Sequence, residues 1–136
     1  MVPNLVLIES PYRGNSYEKI FENIIYARLC VINSLSRGEI PFASHLLYAQ
    51  TGITDDRNPE ERKRGIAAGW RMGEFASLSA FYIDMGWSSG MLSGKETAEK
   101  IGRPIEERSL GGAKEVASMI EKLASVKSSV NDGIPF

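Results

Sequence analysis

An α/β domain with a mostly parallel sheet is the fold class this sequence predicts. Three observations carry that expectation. Short apolar runs alternate with longer segments of helical spacing four times along the chain. The runs are bounded by Pro, Gly and polar turn residues, as buried parallel strands are. The helical segments carry their own start and stop signals, and strand–helix–strand order gives parallel pairing through right-handed crossovers.

The first strand is the run Leu5–Ile8, followed by the polar turn Glu9–Gly14. Asn15 or Ser16 caps the next helix, with Glu18 placed for a capping box after Asn15. Tyr17, Ile20, Phe21, Ile24, Val31 and Leu35 share its apolar spacing, and Arg37-Gly38 ends it. Ile40–Ala43 is a second short strand, and His45–Gln50 a short helix closed by Gly52. A polar loop, 54–58, leads to Asn58-Pro59-Glu60-Glu61, which is a cap, a proline at the first helical position and acids in the first turn. That helix is expected to reach about Ser77. Ala80–Ile83 is the third strand and 84–89 its exit loop. Ser88 or Ser89 caps a helix ending at Gly102. Pro104–Glu106 is a short strand at a sheet edge, where proline is tolerated. Gly111-Gly112 opens a last helix with Val116, Met119, Ile120 and Leu123 on one face. One domain therefore spans 1–127, with a polar tail over 128–136.

Composition narrows the function. The 136 residues carry 16 basic and 17 acidic side chains, a net charge of −1. That balance argues against nucleic acid as a partner, which a basic excess on one face would mark. No apolar run approaches the roughly 18 residues of a membrane span. No signal peptide opens the chain, so a cytoplasmic location is expected. Cys30 is the only cysteine and His45 the only histidine. They make no standard structural zinc site, and no metal or redox cofactor is expected. Cys30 reads as a small buried apolar side chain.

In an open parallel sheet, ligands bind outside the carboxyl ends of the strands. Three polar segments fall there: Glu9–Gly14, Ser44-His45 and Asp84–Met91. In the first, backbone amides near a helix start suit polar ligand oxygens, Tyr12 suits a planar base and Arg13 a phosphate. Pro11 and Gly14 would equally turn a plain loop. In the second, Phe42 is core or stacking platform, and His45 is ligand contact or helix cap. In the third, Asp84 can hold a sugar hydroxyl or handle a proton, while Ser88, Ser89, Gly90 and Met91 begin a helix. The plain alternative makes Asp84 and Ser88 loop caps, with Trp87 and Met91 as packing. The charge run from Pro59 to Arg64 reads as a solvated helix start, or brings Glu60 or Arg62 into the cleft or a subunit contact. Gly65, Ala67, Ala68, Gly69 and Gly73 allow that helix a close approach to a neighbour.

Glu9-Ser10-Pro11-Tyr12-Arg13-Gly14, Asn23 and Ala27, the segment from Pro41 to Leu47, Pro59–Arg62 and Ser88–Met91 together resemble the nucleoside 2-deoxyribosyltransferase-like superfamily. The resemblance is to its small bacterial and phage branch and covers about residues 5–108. It implies a Rossmann-like, flavodoxin-like sheet of four to five strands with helices on both faces. It implies a nucleoside or nucleotide ligand, chemistry at the N-glycosidic bond, and a homo-oligomer whose subunits complete one another's sites. The ligand would meet Ser10, Pro11, Tyr12, Arg13, Phe42, His45, Arg62, Ser88, Ser89, Gly90 and Met91. The resembling transferases carry a nucleophilic Glu at the position of Gly94. Glu96 stands two residues on, about 200° around a helix. Asp84 is the expected catalytic acid, with Glu9 and Glu96 in reserve. A non-catalytic protein that senses or sequesters a nucleotide-derived ligand is the alternative, and a structural assembly subunit a third.

Overall fold

The computed structural model describes residues 2–49, 52–55 and 57–130. The elements run β1 (Val2–Glu9), α1 (Tyr17–Ser36), β2 (Ile40–Phe42), α2 (Ser44–Leu47), α3 (Pro59–Gly73), β3 (Ala76–Tyr82), α4 (Ser89–Ile101), β4 (Ile105–Arg108) and α5 (Ala113–Val130). The four strands pair in parallel in the order β2-β1-β3-β4. This is a Rossmann-like α/β domain. β4 lies at an edge of the sheet, as Pro104 predicts. The chain goes from β1 out to β2, then crosses back past β1 to β3. The order therefore reverses between β1 and β3, and the crevice at a strand-end switch point forms there.

Side chains alternate across the sheet, so β1 feeds two cores. Val6 and Ile8 pack with Tyr26 and Cys30 of α1, Ala80 and Tyr82 of β3, and Val116 of α5. Each large side chain buried there contributes about 1.5–3 kcal/mol. Leu5 and Leu7 face the other way, with Ala76 and the half-buried Phe42. On that second face α3 comes close: a Cβ at Gly73 would stand 3.3 Å from Leu7 Cδ2. The next residue along the same face of β1 is Glu9.

The caps form largely as the sequence indicates. Ser16 accepts from the Lys19 amide, Asn58 from the Glu60 and Glu61 amides, and Ser88 from the Met91 amide. Gly102 ends α4 at φ 73°, a left-handed conformation that glycine adopts without strain. On α5, Val116 is buried and Met119, Ile120 and Leu123 are half-buried along one face. α5 reaches Val130, inside the expected tail, and residues 131–136 lie outside the described residues.

Other boundaries move. α1 buries Asn23, Ile25, Tyr26, Ala27, Cys30 and Ser34, and leaves much of the expected stripe half-buried or exposed. Tyr17 is 88% exposed and Leu35 57%. Most polar atoms on the buried stripe find partners, Asn23 Oδ1 being the exception among the described residues. The Tyr26 hydroxyl donates to Asp84 at 2.6 Å, and Ser34 Oγ donates to Glu39 at 2.8 Å. α3 stops at Gly73, not Ser77, because β3 begins early and Ala76 is already in register opposite Val2. α2 starts at Ser44 and ends at Leu47. The expected last residue, Gln50, lies outside the described residues.

Candidate functional site

A cavity of about 260 Å³ opens at the carboxyl ends of β1 and β2 and the start of α4. It brings together Glu9, Ser10, Tyr12 and Arg13 after β1, Ser44 and His45 after β2, Arg62 on α3, and Ser88–Met91 at the α4 start. These come from three polar strand-end segments plus one residue of the charge run. Tyr48, Ala49, Thr54, Gly65 and Ile66 complete the wall. Sequence reasoning does not single them out as site residues. Gly65 carries the available signal, a small residue one turn beyond Arg62.

Glu9 ends β1 on the α4 side of the sheet, in register with Phe81 of β3. Phe81 stacks on Trp87 with ring centroids 5.0 Å apart. Burial in these apolar surroundings pushes the Glu9 carboxyl up to about 7, against the opposing pull of the Arg103 charge. No hydrogen bond to this carboxyl forms among the described residues. Arg103 is fixed from below, donating to Ser79 Oγ at 2.8 Å and to the Gly73 carbonyl at 2.6 Å. The space that holds the Glu9 carboxyl is the space a side chain at Gly94 would need. A Cβ there would collide with Glu9 Oε2 and stand 2.9 Å from Cδ. Position 94 of α4 thus has no side chain, and a carboxyl from β1 fills the gap.

Ser10 and His45 form the opposite wall. Ser10 Oγ and His45 Nε2 lie 3.0 Å apart and share a hydrogen bond. Burial drives the imidazole down to about 4, so His45 is neutral at pH 7 and presents a dipole, not a charge. The Tyr12 ring meets the imidazole edge-on at 5.9 Å. The loop that carries Tyr12 is held by Asn23, whose Nδ2 donates to the carbonyls of Tyr12 at 3.0 Å and Arg13 at 3.2 Å. This is what Asn23 does in the fold. At the third wall the first turn of α4 presents backbone amides near the positive end of the helix dipole. Arg13 and Arg62 add positive charge to the same cavity.

The structure does not bring every expected residue to this cavity. Asp84 is absent from its lining. Alternation from Tyr82 places Asp84 on the α1 and α5 side of the sheet, the face opposite Glu9. There its carboxylate accepts from Tyr26 Oη, Ser109 Oγ at 2.7 Å, and the Leu110 and Gly112 amides at 2.8 Å each. Burial alone would raise this carboxyl, but the four hydrogen bonds outweigh it and hold it below the usual carboxylate range. Asp84 thus ties the β4–α5 turn to α1, with its acceptor capacity spent away from the cavity. Glu96 is exposed on α4, turned away because Gly94 faces Glu9. Phe42 packs in the smaller core against Leu5 and Leu7. Pro11 is buried beside the lining, not in it. Glu60 is exposed, so of the charge run only Arg62 enters the cleft.

The fold is an α/β domain with a cavity at its strand-end switch point. A family model described as Domain of unknown function (DUF7768) matches residues 4–108, and the chain belongs to that family. The match takes in β1 from residue 4 onward, the other three strands and all the cavity-lining residues. No curated protein and no solved structure matches the chain. No helix among the described residues is long and apolar enough to cross a membrane.

Proposed function

We propose that the strand-end cavity binds a nucleoside or nucleotide and that Glu9 acts at the N-glycosidic bond. The observation that carries this reading is Glu9 itself, the one carboxyl among the cavity-lining residues, half-buried, without a hydrogen-bond partner among the described residues and raised to about 7. Arg62, Arg13 and the α4 amides supply the positive side a phosphate requires. Ser10, His45 and Ser89 supply uncharged hydrogen-bonding groups for sugar hydroxyls.

The chemistry balances with Glu9 alone. Its ionised carboxylate attacks the anomeric carbon, the carbon–nitrogen bond breaks, and the base leaves with the electron pair and takes a proton from water. Water then cleaves the glycosyl ester, releasing the sugar and restoring the carboxylate. The rate follows the ionised fraction of Glu9, so it rises with pH through about 7. Chromatographic assay of free base from nucleosides and nucleoside 5′-monophosphates tests this. Wild type should release base, Glu9→Gln should not, and Asp84→Asn, where folded, should retain the activity. Release that survives Glu9→Gln removes Glu9 from the chemistry.

One observation favours a second reading, a binder that sequesters an unchanged nucleotide. With Asp84 and Glu96 outside, the cavity offers no second acid among its lining residues to protonate a departing base. Tight binding of intact nucleotide without base release selects this reading. Both readings describe a cytoplasmic homo-oligomer. Support for self-association comes from α3 and the segment just after it, where Ile66, Trp70, Met72 and Phe75 are exposed apolar side chains.

A further inference from the structure

A second hollow of about 520 Å³ lies between α1 and α2, and it shares Tyr12, His45 and Ala49 with the first. The two hollows thus adjoin along these side chains. Its far wall is the α1 stripe Tyr17, Ile20, Phe21, Ile24, which has helical spacing but is turned away from the sheet. Leu46 of α2 closes the other side, and Arg28 stands at one end. Aromatic and aliphatic walls with one cation among the described residues suit a planar, weakly polar ring bearing hydrogen-bond acceptors. They do not suit a sugar or a phosphate, for which the first cavity holds the hydroxyls, amides and arginines.

We infer that the α1–α2 hollow is a subsite for the planar ring of a ligand whose sugar and phosphate occupy the first cavity, with Tyr12 as the shared wall that the ring packs against. This deepens the nucleotide reading and rests on it. It gives the most apolar face of α1 a role that the core does not. It also makes base selectivity a property of α1, apart from the residues that hold the sugar.

Calorimetric titration of the full-length protein with ribose 5-phosphate and with adenosine and cytidine 5′-monophosphates separates the two claims. The subsite predicts that at least one nucleotide binds on the order of ten- to a hundred-fold tighter than the sugar phosphate, the range base stacking on aromatic side chains provides. Ile24→Trp, which fills the hollow, should erase that gain and leave ribose 5-phosphate binding unchanged. Phe21→Ala, which removes a stacking ring without adding bulk, should also erase it and serves if Ile24→Trp does not fold. Equal binding of sugar phosphate and nucleotides, or a gain that survives the folded variants, overturns the subsite and leaves the first cavity's role intact. Binding of none of the probes overturns the nucleotide reading and the subsite with it. An oligomer that dissociates in these variants with base preference unchanged assigns the hollow to a second copy of the chain and also overturns the subsite.

Discussion

The Glu9 carboxyl sits against the bare Cα of Gly94, where any side chain on α4 would displace it. A strand residue and a helix residue thus share one volume, and only glycine at 94 lets the acid stay. The clash is with the far end of a flexible side chain, so the fold can relieve it by swinging Glu9 out. Gly94→Ala should therefore fold, with stability within about 1 kcal/mol of wild type, since alanine also favours the helix. The displaced carboxyl should titrate closer to its ordinary value, below the wild-type value of about 7. Base release should fall by on the order of a hundred-fold, as for a reacting group moved by about 1 Å. Carbon-13 titration of Glu9 together with urea melts checks this. An unchanged Glu9 titration in the folded variant contradicts the seat.

Glu9 and His45 oppose each other in the pH dependence of stability. Glu9 is raised from 4.5 to about 7, so the folded state holds a proton there that the unfolded chain loses, and stability falls as pH rises through that window. His45 is lowered from 6.5 to about 4, so the unfolded chain binds the proton first, and stability rises with pH across that window. Between pH 4.5 and 6.5 the two contributions cancel. Glu9→Gln should expose the His45 slope, up to about 1.4 kcal/mol per pH unit. The same variant should be more stable than wild type at pH 8, by up to about 3 kcal/mol. Chemical denaturation at a series of pH values measures both. Parallel curves for the two proteins would contradict the buried Glu9.

Asp84 is a structural acid. Asp84→Asn keeps an acceptor for Ser109, Leu110 and Gly112 but removes the charge and sets an amide NH2 where the Tyr26 hydroxyl now donates. A loss of about 2–4 kcal/mol is expected, as for a broken network of charged hydrogen bonds. Ligand affinity of the folded fraction should change little. The check is urea denaturation beside calorimetric binding. Wild-type stability with lost binding would return Asp84 to the site.

Much of this is legible in the sequence, and the failures have specific causes. The element order, the caps at Ser16, Asn58 and Ser88, and the three strand-end segments follow from local chemistry, which the fold keeps. Which face each strand-end residue takes does not. Glu9 and Asp84 both follow apolar runs, yet strand alternation and register place them on opposite sides of the sheet. Apolar spacing favours the wrong stripe of α1 because apolarity is visible in the sequence and the Tyr26–Asp84 bond, spanning 58 residues, is not. Gly94 stands out only as a departure from a resemblance. That Glu9 fills the gap is a tertiary fact no spacing encodes.

The glycines of α3 set the position of His45. A Cβ at Gly69 would stand 2.7 Å from Ser44 Cβ and 2.9 Å from its Oγ. Ser44 immediately precedes His45, so Gly69→Ala should push α2 outward and lengthen the Ser10–His45 hydrogen bond. About 1–3 kcal/mol of stability should be lost, as in an overpacked contact. The His45 imidazole, less enclosed, should titrate above its wild-type value of about 4. Proton NMR of this single histidine follows it directly. An unshifted titration would show that α3 does not position the wall.

The most direct test of the central claim is a crystal structure of the Glu9→Gln protein with a nucleoside 5′-monophosphate. The variant keeps the shape of Glu9 and lacks its ionisable carboxyl. The anomeric carbon is expected beside the side-chain amide at position 9, and the phosphate between Arg62 and the amides of the Ser88–Gly90 turn. A nucleotide bound elsewhere on the sheet, or one with its phosphate against position 9, would contradict it.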